Sequence, residues 1–113
     1  MELEKIIEIV GATVVAGNSS GVLVNYGFCS DLMSDVLTID TEKMLLITGM
    51  SNVQAIRTAE MADVHCILLV RGKKATPEMI EIANENKLVL METPLSMFST
   101  AGRLYVAGLK PVY

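Results

Sequence analysis

The sequence has few of the side chains that carry acid–base or nucleophilic catalysis. Among 113 residues it contains one histidine, His65, two cysteines, Cys29 and Cys66, and no tryptophan. A single histidine has no second one to pair with, and the cysteines lack the CxxC spacing of metal or redox sites. We therefore expect no catalytic residues, no metal and no cofactor. Both cysteines, which stand in apolar runs, are interpreted as reduced, buried small hydrophobes of a cytoplasmic protein.

Basic clusters and long apolar runs are missing as well. The formal net charge is −4 and the isoelectric point is near 4.9, so the charge pattern does not favour nucleic acid. No stretch approaches the roughly 20 apolar residues of a membrane span, and the first residues do not resemble a signal peptide. Glycine-rich phosphate loops do not occur. We expect no nucleic acid partner, no membrane association and a cytoplasmic location.

The residues that are abundant are aliphatic. Hydrophobic residues make up 51% of the chain, against 19% charged and 4% aromatic residues, and the mean hydropathy is +0.47. A domain of this size has limited interior, so we expect part of its apolar surface in an interface and predict a homodimer. The eight methionines suit an adaptable apolar surface, although a role as core filler would account for them equally well.

Helices and strands are predicted to alternate along the chain. Apolar spacing and capping residues predict helices over residues 2–10, from Ser30 or Asp31 to Leu37, from Ser51 or Asn52, from Thr76, and from Pro94 or Leu95 to Arg103. Strands are predicted at Thr13–Ala16, Val22–Phe28, Met44–Thr48, Cys66–Val70 and Leu88–Met91. The last three are continuously apolar, as strands covered on both faces are. We expect residues 1–113 to form one layered α/β domain with a mainly parallel sheet flanked by helices.

Polar or small residues follow the predicted strands. In open parallel sheets ligands bind beyond the carboxyl ends of the strands, where this sequence places Ser30, Asp31, Thr48, Gly49, Arg71, Gly72 and Thr93. A guanidinium can hold a carboxylate or phosphate with two parallel hydrogen bonds, so any ligand here is predicted to be a small anion in contact with Arg71. The alternative is that Arg71 only pairs with Asp63 or Glu92 and that the polar residues are ordinary helix caps and turn residues, namely Ser30, Asp31, Ser51, Asn52, Thr76 and Thr93. Asp31 itself is predicted to be a local anchor that accepts N–H bonds from the first turn of its helix.

Four motifs follow one another in a distinctive order: SDLMSDV at 30–36, RTAEMAD at 57–63, RGK at 71–73 and SMFSTAGRLY at 96–105. In this order, which extends over nearly the whole chain, the sequence resembles the DRTGG domain family. The segment that should carry the family's name motif departs from it. Residues 21–27 read GVLVNYG, in which only the last glycine matches. A ligand that other members hold through that motif is therefore not expected here.

The resemblance implies a non-catalytic regulatory or ligand-sensing module, often dimeric, with a fold similar to the N-terminal domain of HPr kinases. Members of this kind occur fused to other regulatory domains or as short free-standing proteins, in some genomes near genes for redox enzymes. The resemblance therefore also implies that a protein partner, where there is one, is a redox or metabolic enzyme. The alternative from a different class is a small transferase-type enzyme, in which Asp31, Arg71 and Thr93 would converge on a phosphorylated or carboxylate substrate.

Overall fold

The computed structural model describes every residue from Met1 to Tyr113 and contains five helices and six strands. The helices are α1 (Leu3–Val10), α2 (Met33–Val36), α3 (Val53–Met61), α4 (Pro77–Glu85) and α5 (Met97–Val106). The strands are β1 (Thr13–Ala16), β2 (Tyr26–Cys29), β3 (Met44–Thr48), β4 (Cys66–Leu69), β5 (Val89–Glu92) and β6 (Lys110–Pro111). None of the helices is long and apolar enough to cross a membrane.

All six strands form one sheet in the order β1-β5-β4-β3-β2-β6. Strands β2 to β5 pair in parallel, and β6 adds to β2 in parallel at one edge. Only β1, at the other edge, is antiparallel to its neighbour β5. The prediction of a layered α/β fold with a mainly parallel sheet is confirmed. Because the carboxyl ends of β2, β3 and β4 meet at one edge of the sheet, the loops that follow them lie side by side.

Helices cover both faces of the sheet. On one face α2, α3 and α4 pack over a core that includes Leu46 and Ile67. On the other face α1 and α5 pack over Leu45 and Leu68. Successive residues of a strand point to opposite faces, so a strand covered on both sides must be apolar throughout. This explains why β4 is apolar throughout and why β3 and β5 are apolar up to their last residues, Thr48 and Glu92.

The second strand is shorter than predicted. The expectation of a strand over Val22–Phe28 is wrong in its first half, since β2 begins at Tyr26. The N–H of Val24 instead donates to the carbonyl of Met1 at 2.8 Å, and Leu23 forms an isolated antiparallel bridge with Glu2. These residues are therefore held by the segment that precedes α1 and not by the sheet.

The end of the chain also differs from expectation. Instead of starting at Pro94 or Leu95 and ending at Arg103, α5 runs from Met97 to Val106. It starts there because Ser96 caps it, its Oγ accepting the N–H of Ser99 at 3.0 Å. The two-residue strand β6 is not among the predicted strands, because two residues carry no detectable periodicity.

The two cysteines lie in different surroundings. Cys66, in the central strand β4, is 3% exposed, as predicted. Cys29 is exposed, so the prediction of two buried thiols is wrong for this residue. The reason is its position at the end of β2, where the outer neighbour β6 pairs only with Tyr26 and Gly27 and leaves the last residues of the strand uncovered.

Burial of Cys66 makes the stability of the protein sensitive to alkaline pH. Burial raises the pKa of the Cys66 thiol from 9.0 to about 11. Above pH 9 the unfolded chain therefore loses this proton while the folded chain keeps it, so stability falls as pH rises toward 11. Wild type is expected to lose about 2 kcal/mol more over this interval than Cys66→Ala. Urea unfolding of both proteins across this pH range measures the difference, and parallel pH profiles would contradict it.

Candidate functional site

Asp31 connects the end of β2 to the end of β3. Its Oδ1 accepts hydrogen bonds from the hydroxyl of Thr48 at 3.0 Å and from the N–H of Gly49 at 2.6 Å. Thr48 is fully buried, and its hydroxyl also accepts the N–H of Met50 at 3.1 Å. The expectation that Asp31 caps its own helix is wrong, because α2 begins after Leu32 without a side-chain cap. Asp31 instead fixes the loop that follows the neighbouring strand.

Arg71 extends from the end of β4 across Gly49. A Cβ at Gly49 would lie 2.9 Å from the Cζ of Arg71 and still closer to Nη2, so the guanidinium takes this position only over a glycine. The N–H of Arg71 donates to the carbonyl of Leu95 at 2.7 Å, which fixes the start of the side chain. Its Nη2 lies 3.8 Å from Oδ2 of Asp31. The ends of three parallel strands thus bring Asp31, Gly49 and Arg71 together.

The guanidinium of Arg71 keeps most of its hydrogen-bonding capacity. The group has five N–H donors, and none of them forms a hydrogen bond within the chain. Its contact with Asp31 at 3.8 Å is an ion pair, longer than the charge-assisted hydrogen bonds of about 2.7–2.9 Å that such groups form at close range. The Arg71 side chain is 52% exposed. An oxyanion arriving from solvent can therefore use donors that the fold leaves free.

The ion pairs expected for Arg71 involve other residues in the structure. Asp63 lies 3.1 Å from the ring nitrogen Nε2 of His65 on the surface. Glu92 accepts the N–H of Ala75 at 2.7 Å and lies 3.5 Å from the ammonium group of Lys74. Both carboxylates thus have partners of their own, and the alternative that Arg71 pairs with Asp63 or Glu92 is wrong.

Two of the predicted ligand-binding residues do not join this cluster. The hydroxyl of Ser30 bonds only to the backbone of Leu32, at 3.0 and 3.1 Å, where it stabilises the turn before α2. The hydroxyl of Thr93 is buried and donates to the carbonyl of Val10 at 2.7 Å, on the face of the sheet covered by α1. Gly72 stays beside the cluster, with its N–H donating to the carbonyl of Thr93 at 3.1 Å. Of the predicted residues, the structure therefore brings together Asp31, Thr48, Gly49 and Arg71, with Gly72 beside them.

Next to this cluster lies an apolar pocket that the sequence does not predict. It has a volume of about 290 Å³ and lies between α5, the end of β2 and the last residues of the chain. Cys29 lines it; partial burial and, to a lesser extent, the negative charge of Asp31 raise the pKa of its thiol. The thiol therefore stays protonated at neutral pH, and it marks where the apolar pocket approaches the polar cluster.

These features define an α/β domain with a polar, cation-bearing site at the carboxyl edge of its sheet. Within that class the family can be named. The DRTGG domain matches residues 5–107, and the chain belongs to this family. The segment 21–27, which departs from the name motif, precedes and enters β2 and therefore lies at the opposite end of that strand from Asp31. The Arg71 cluster therefore does not include the residues at which the name motif was expected from the sequence.

A solved structure shares this fold. It is the crystal structure of the CBS and DRTGG domains of the regulatory region of Clostridium perfringens pyrophosphatase, complexed with the activator diadenosine tetraphosphate. The superposition has a TM-score of 0.73 at 16% sequence identity. It covers 98% of this chain and 48% of the other, so the chain spans about half the length of that structure. No curated protein matches the sequence.

Proposed function

We propose that residues 1–113 form one ligand-sensing regulatory domain, homodimeric and cytoplasmic, that binds a small anion at Arg71. The observation that carries this proposal is the guanidinium laid over Gly49 and held by Asp31 with its hydrogen-bond donors free. A cation fixed by the fold loses less side-chain freedom on binding than a mobile one, which favours affinity. The hydroxyl of Thr48 and the N–H of Gly49 are both hydrogen-bonded to Asp31, so they position the site and do not contact the ligand.

A regulatory role without catalysis is favoured by the arrangement of the polar groups. The alternative, a small transferase-type enzyme, requires Asp31, Arg71 and Thr93 to face one substrate. The hydroxyl of Thr93 is instead buried and donates a hydrogen bond to the carbonyl of Val10. The one hydroxyl hydrogen-bonded to the remaining carboxylate–guanidinium pair is that of Thr48, which is fully buried and also accepts the N–H of Met50, so it does not face a substrate as a nucleophile must. Through this site the domain would report the ligand to a partner protein, for which we propose a redox or metabolic enzyme.

Nucleotides are the first anions to test. The similar regulatory region of the C. perfringens enzyme was solved with a dinucleoside polyphosphate activator, and phosphate groups suit the planar donor arrangement of a guanidinium. The probes are inorganic phosphate, AMP, ATP and diadenosine tetraphosphate, compared with citrate as a carboxylate. At least one nucleotide is expected to raise the melting temperature of the wild-type protein in a thermal-shift assay, because a ligand that binds only the folded state stabilises it.

Replacement of Arg71 is expected to remove this ligand effect. Arg71→Ala should weaken nucleotide binding by at least about tenfold, and Arg71→Lys should weaken it less, because lysine keeps the charge but not the paired donors. Lys73→Ala is the matched control, since it removes an exposed cation two residues away that forms no ion pair in the structure. Equal stabilisation of wild type and Arg71→Ala, or an equal loss in Lys73→Ala, would contradict a site at Arg71, as would no response to any of the probes.

A further inference from the structure

Helix α5 differs from the other long helices in having an apolar exterior. The outward faces of α1, α3 and α4 carry charged residues such as Glu8, Arg57 and Glu81. On α5 the exposed residues include three large apolar side chains, with Phe98 90% exposed, Tyr105 69% exposed and Val106 88% exposed, and a single charged residue, Arg103. Phe98 and Tyr105 are seven residues apart, which places them about two turns apart on the same side of the helix. Ala101 and Gly102 lie in the turn between them, so no polar side chain separates the two rings on that side of the helix.

The same surface continues into the apolar pocket. Ala101 and Tyr105 of α5 line the pocket, as do Cys29 and the C-terminal Tyr113. The ring of Tyr113 is 84% exposed and contacts Phe28 edge to face, with 6.1 Å between the ring centroids. We call this combined surface, formed by the outward side of α5 and the pocket beside it, the α5 patch. It offers both projecting side chains and a recess.

We propose that the α5 patch is covered by the α5 patch of a second copy of this chain. A two-fold dimer requires a surface that is complementary to itself, and a patch that contains both a projection and a recess can meet that requirement. In such a dimer, aromatic side chains that project from one copy enter the pocket of the other. The inference rests on the homodimer of the proposed function and is independent of the anion site.

The exposed area favours a second copy of the chain as the occupant. Three aromatic side chains and one valine that are mostly exposed amount to about 500 Å² of surface per copy. A stable interface buries about 800 Å² per partner, with aromatic residues at its centre and polar ones at its rim. The patch would supply most of that area, and its charged residues are Arg103 on α5 and Lys110, which lines the pocket.

Gly102 provides a second, independent observation. It lies in the middle of α5, where glycine lowers helix stability, yet a Cβ at this position would meet nothing within 4 Å. Packing within the chain therefore does not require glycine at this point. A residue without a side chain between Phe98 and Tyr105 allows another backbone to approach the helix closely.

The test is the association state of the full chain and of three variants, measured by sedimentation equilibrium at micromolar concentrations. Wild type is expected to be a dimer. Phe98→Ser/Tyr105→Ser should raise the dimer Kd on the order of 100-fold, as expected when central aromatic anchors are removed. Gly102→Gln should raise the dimer Kd without destabilising the single copy, as measured by unfolding at concentrations too low for dimerisation, since the new side chain enters open space there. The matched control Met61→Ser, at a methionine of α3 that is 69% exposed, should stay dimeric.

Cys29 supplies a built-in reporter for the same contact. It lines the α5 patch, so dimer formation should slow its reaction with a thiol reagent as protein concentration rises, while Cys66 stays buried and unreactive. In Phe98→Ser/Tyr105→Ser the reaction should be fast at every concentration. A dimer that survives this double substitution overturns the α5 patch as the interface but leaves the homodimer intact. A monomeric wild type overturns both and assigns the patch to a different protein or an apolar ligand.

Discussion

Replacing Gly17 by alanine is expected to destabilise the protein by about 3 kcal/mol, since among the eight glycines it alone combines a positive φ with a collision against backbone atoms. Gly17 follows β1 with φ of 80°, a conformation that costs an alanine about 1 kcal/mol or more. An added Cβ would also overlap the carbonyl oxygen of Leu88 and lie 3.0 Å from the Cα of Val89. These are backbone atoms beside β5, so the contact is relieved only by moving β1 or β5.

Gly21→Ala is the matched control for this prediction. Gly21 has a similar φ of 73°, but its Cβ would meet nothing within 4 Å. Both substitutions restrict the unfolded chain equally, so the difference between them isolates the collision with the neighbouring strand. Chemical denaturation of the two variants should show a loss of about 1 kcal/mol for Gly21→Ala and about 2 kcal/mol more for Gly17→Ala. Equal losses would show that β1 does not lie this close to Leu88.

The central strands could be predicted because their signal is local. The runs Met44–Ile47 and Cys66–Val70 are apolar at every position, a pattern typical of strands covered on both faces. The start of β2 could not be predicted in the same way. Val22 and Val24 look like strand residues, but their partners are Met1 and Leu3, twenty or so positions away, and hydropathy patterns do not reveal such pairings.

The sequence placed both threonines at the ends of their strands but did not predict which face of the sheet each side chain occupies. Thr48 continues the alternation of Leu46, which faces α3 and α4, whereas Thr93 continues that of Met91, which faces α1. Side chains two residues apart share a face. The rule that ligands bind at strand ends therefore located both threonines at the correct edge of the sheet. The alternation places them on opposite sides, and this could have been deduced only once the helix covering each face was known.

The pairing of Asp31 with Gly49 and Arg71 was not predicted, since it joins residues 18 and 40 positions apart. A local interpretation made Asp31 a helix cap, because aspartate before an apolar helical stripe usually is one. That interpretation was correct in assigning Asp31 a role as an anchor that accepts an N–H bond. It was wrong about the donor, which lies in the loop after β3 and not in α2.

Removing the carboxylate of Asp31 is expected to cost about 2 kcal/mol of stability, because two buried hydrogen-bond donors lose their acceptor. In Asp31→Ala the N–H of the buried Gly49 and the hydroxyl of the buried Thr48 lose their acceptor. Asp31→Asn keeps an acceptor oxygen for both and loses only the charge facing Arg71. That ion pair is half exposed and 3.8 Å long, so its loss should cost less than about 1 kcal/mol.

The two Asp31 variants also separate stability from ligand binding. In Asp31→Asn the guanidinium of Arg71 stays over Gly49 without a competing carboxylate, so anions should bind at least as tightly as in wild type. In Asp31→Ala the loop that carries Gly49 is released and the guanidinium loses its fixed position, so binding should weaken. Urea unfolding gives the stabilities, and a titration of the nucleotide found by thermal shift gives the affinities. If Asp31→Asn destabilised the fold as much as Asp31→Ala, the ion pair and not the hydrogen bonds would be what Asp31 contributes.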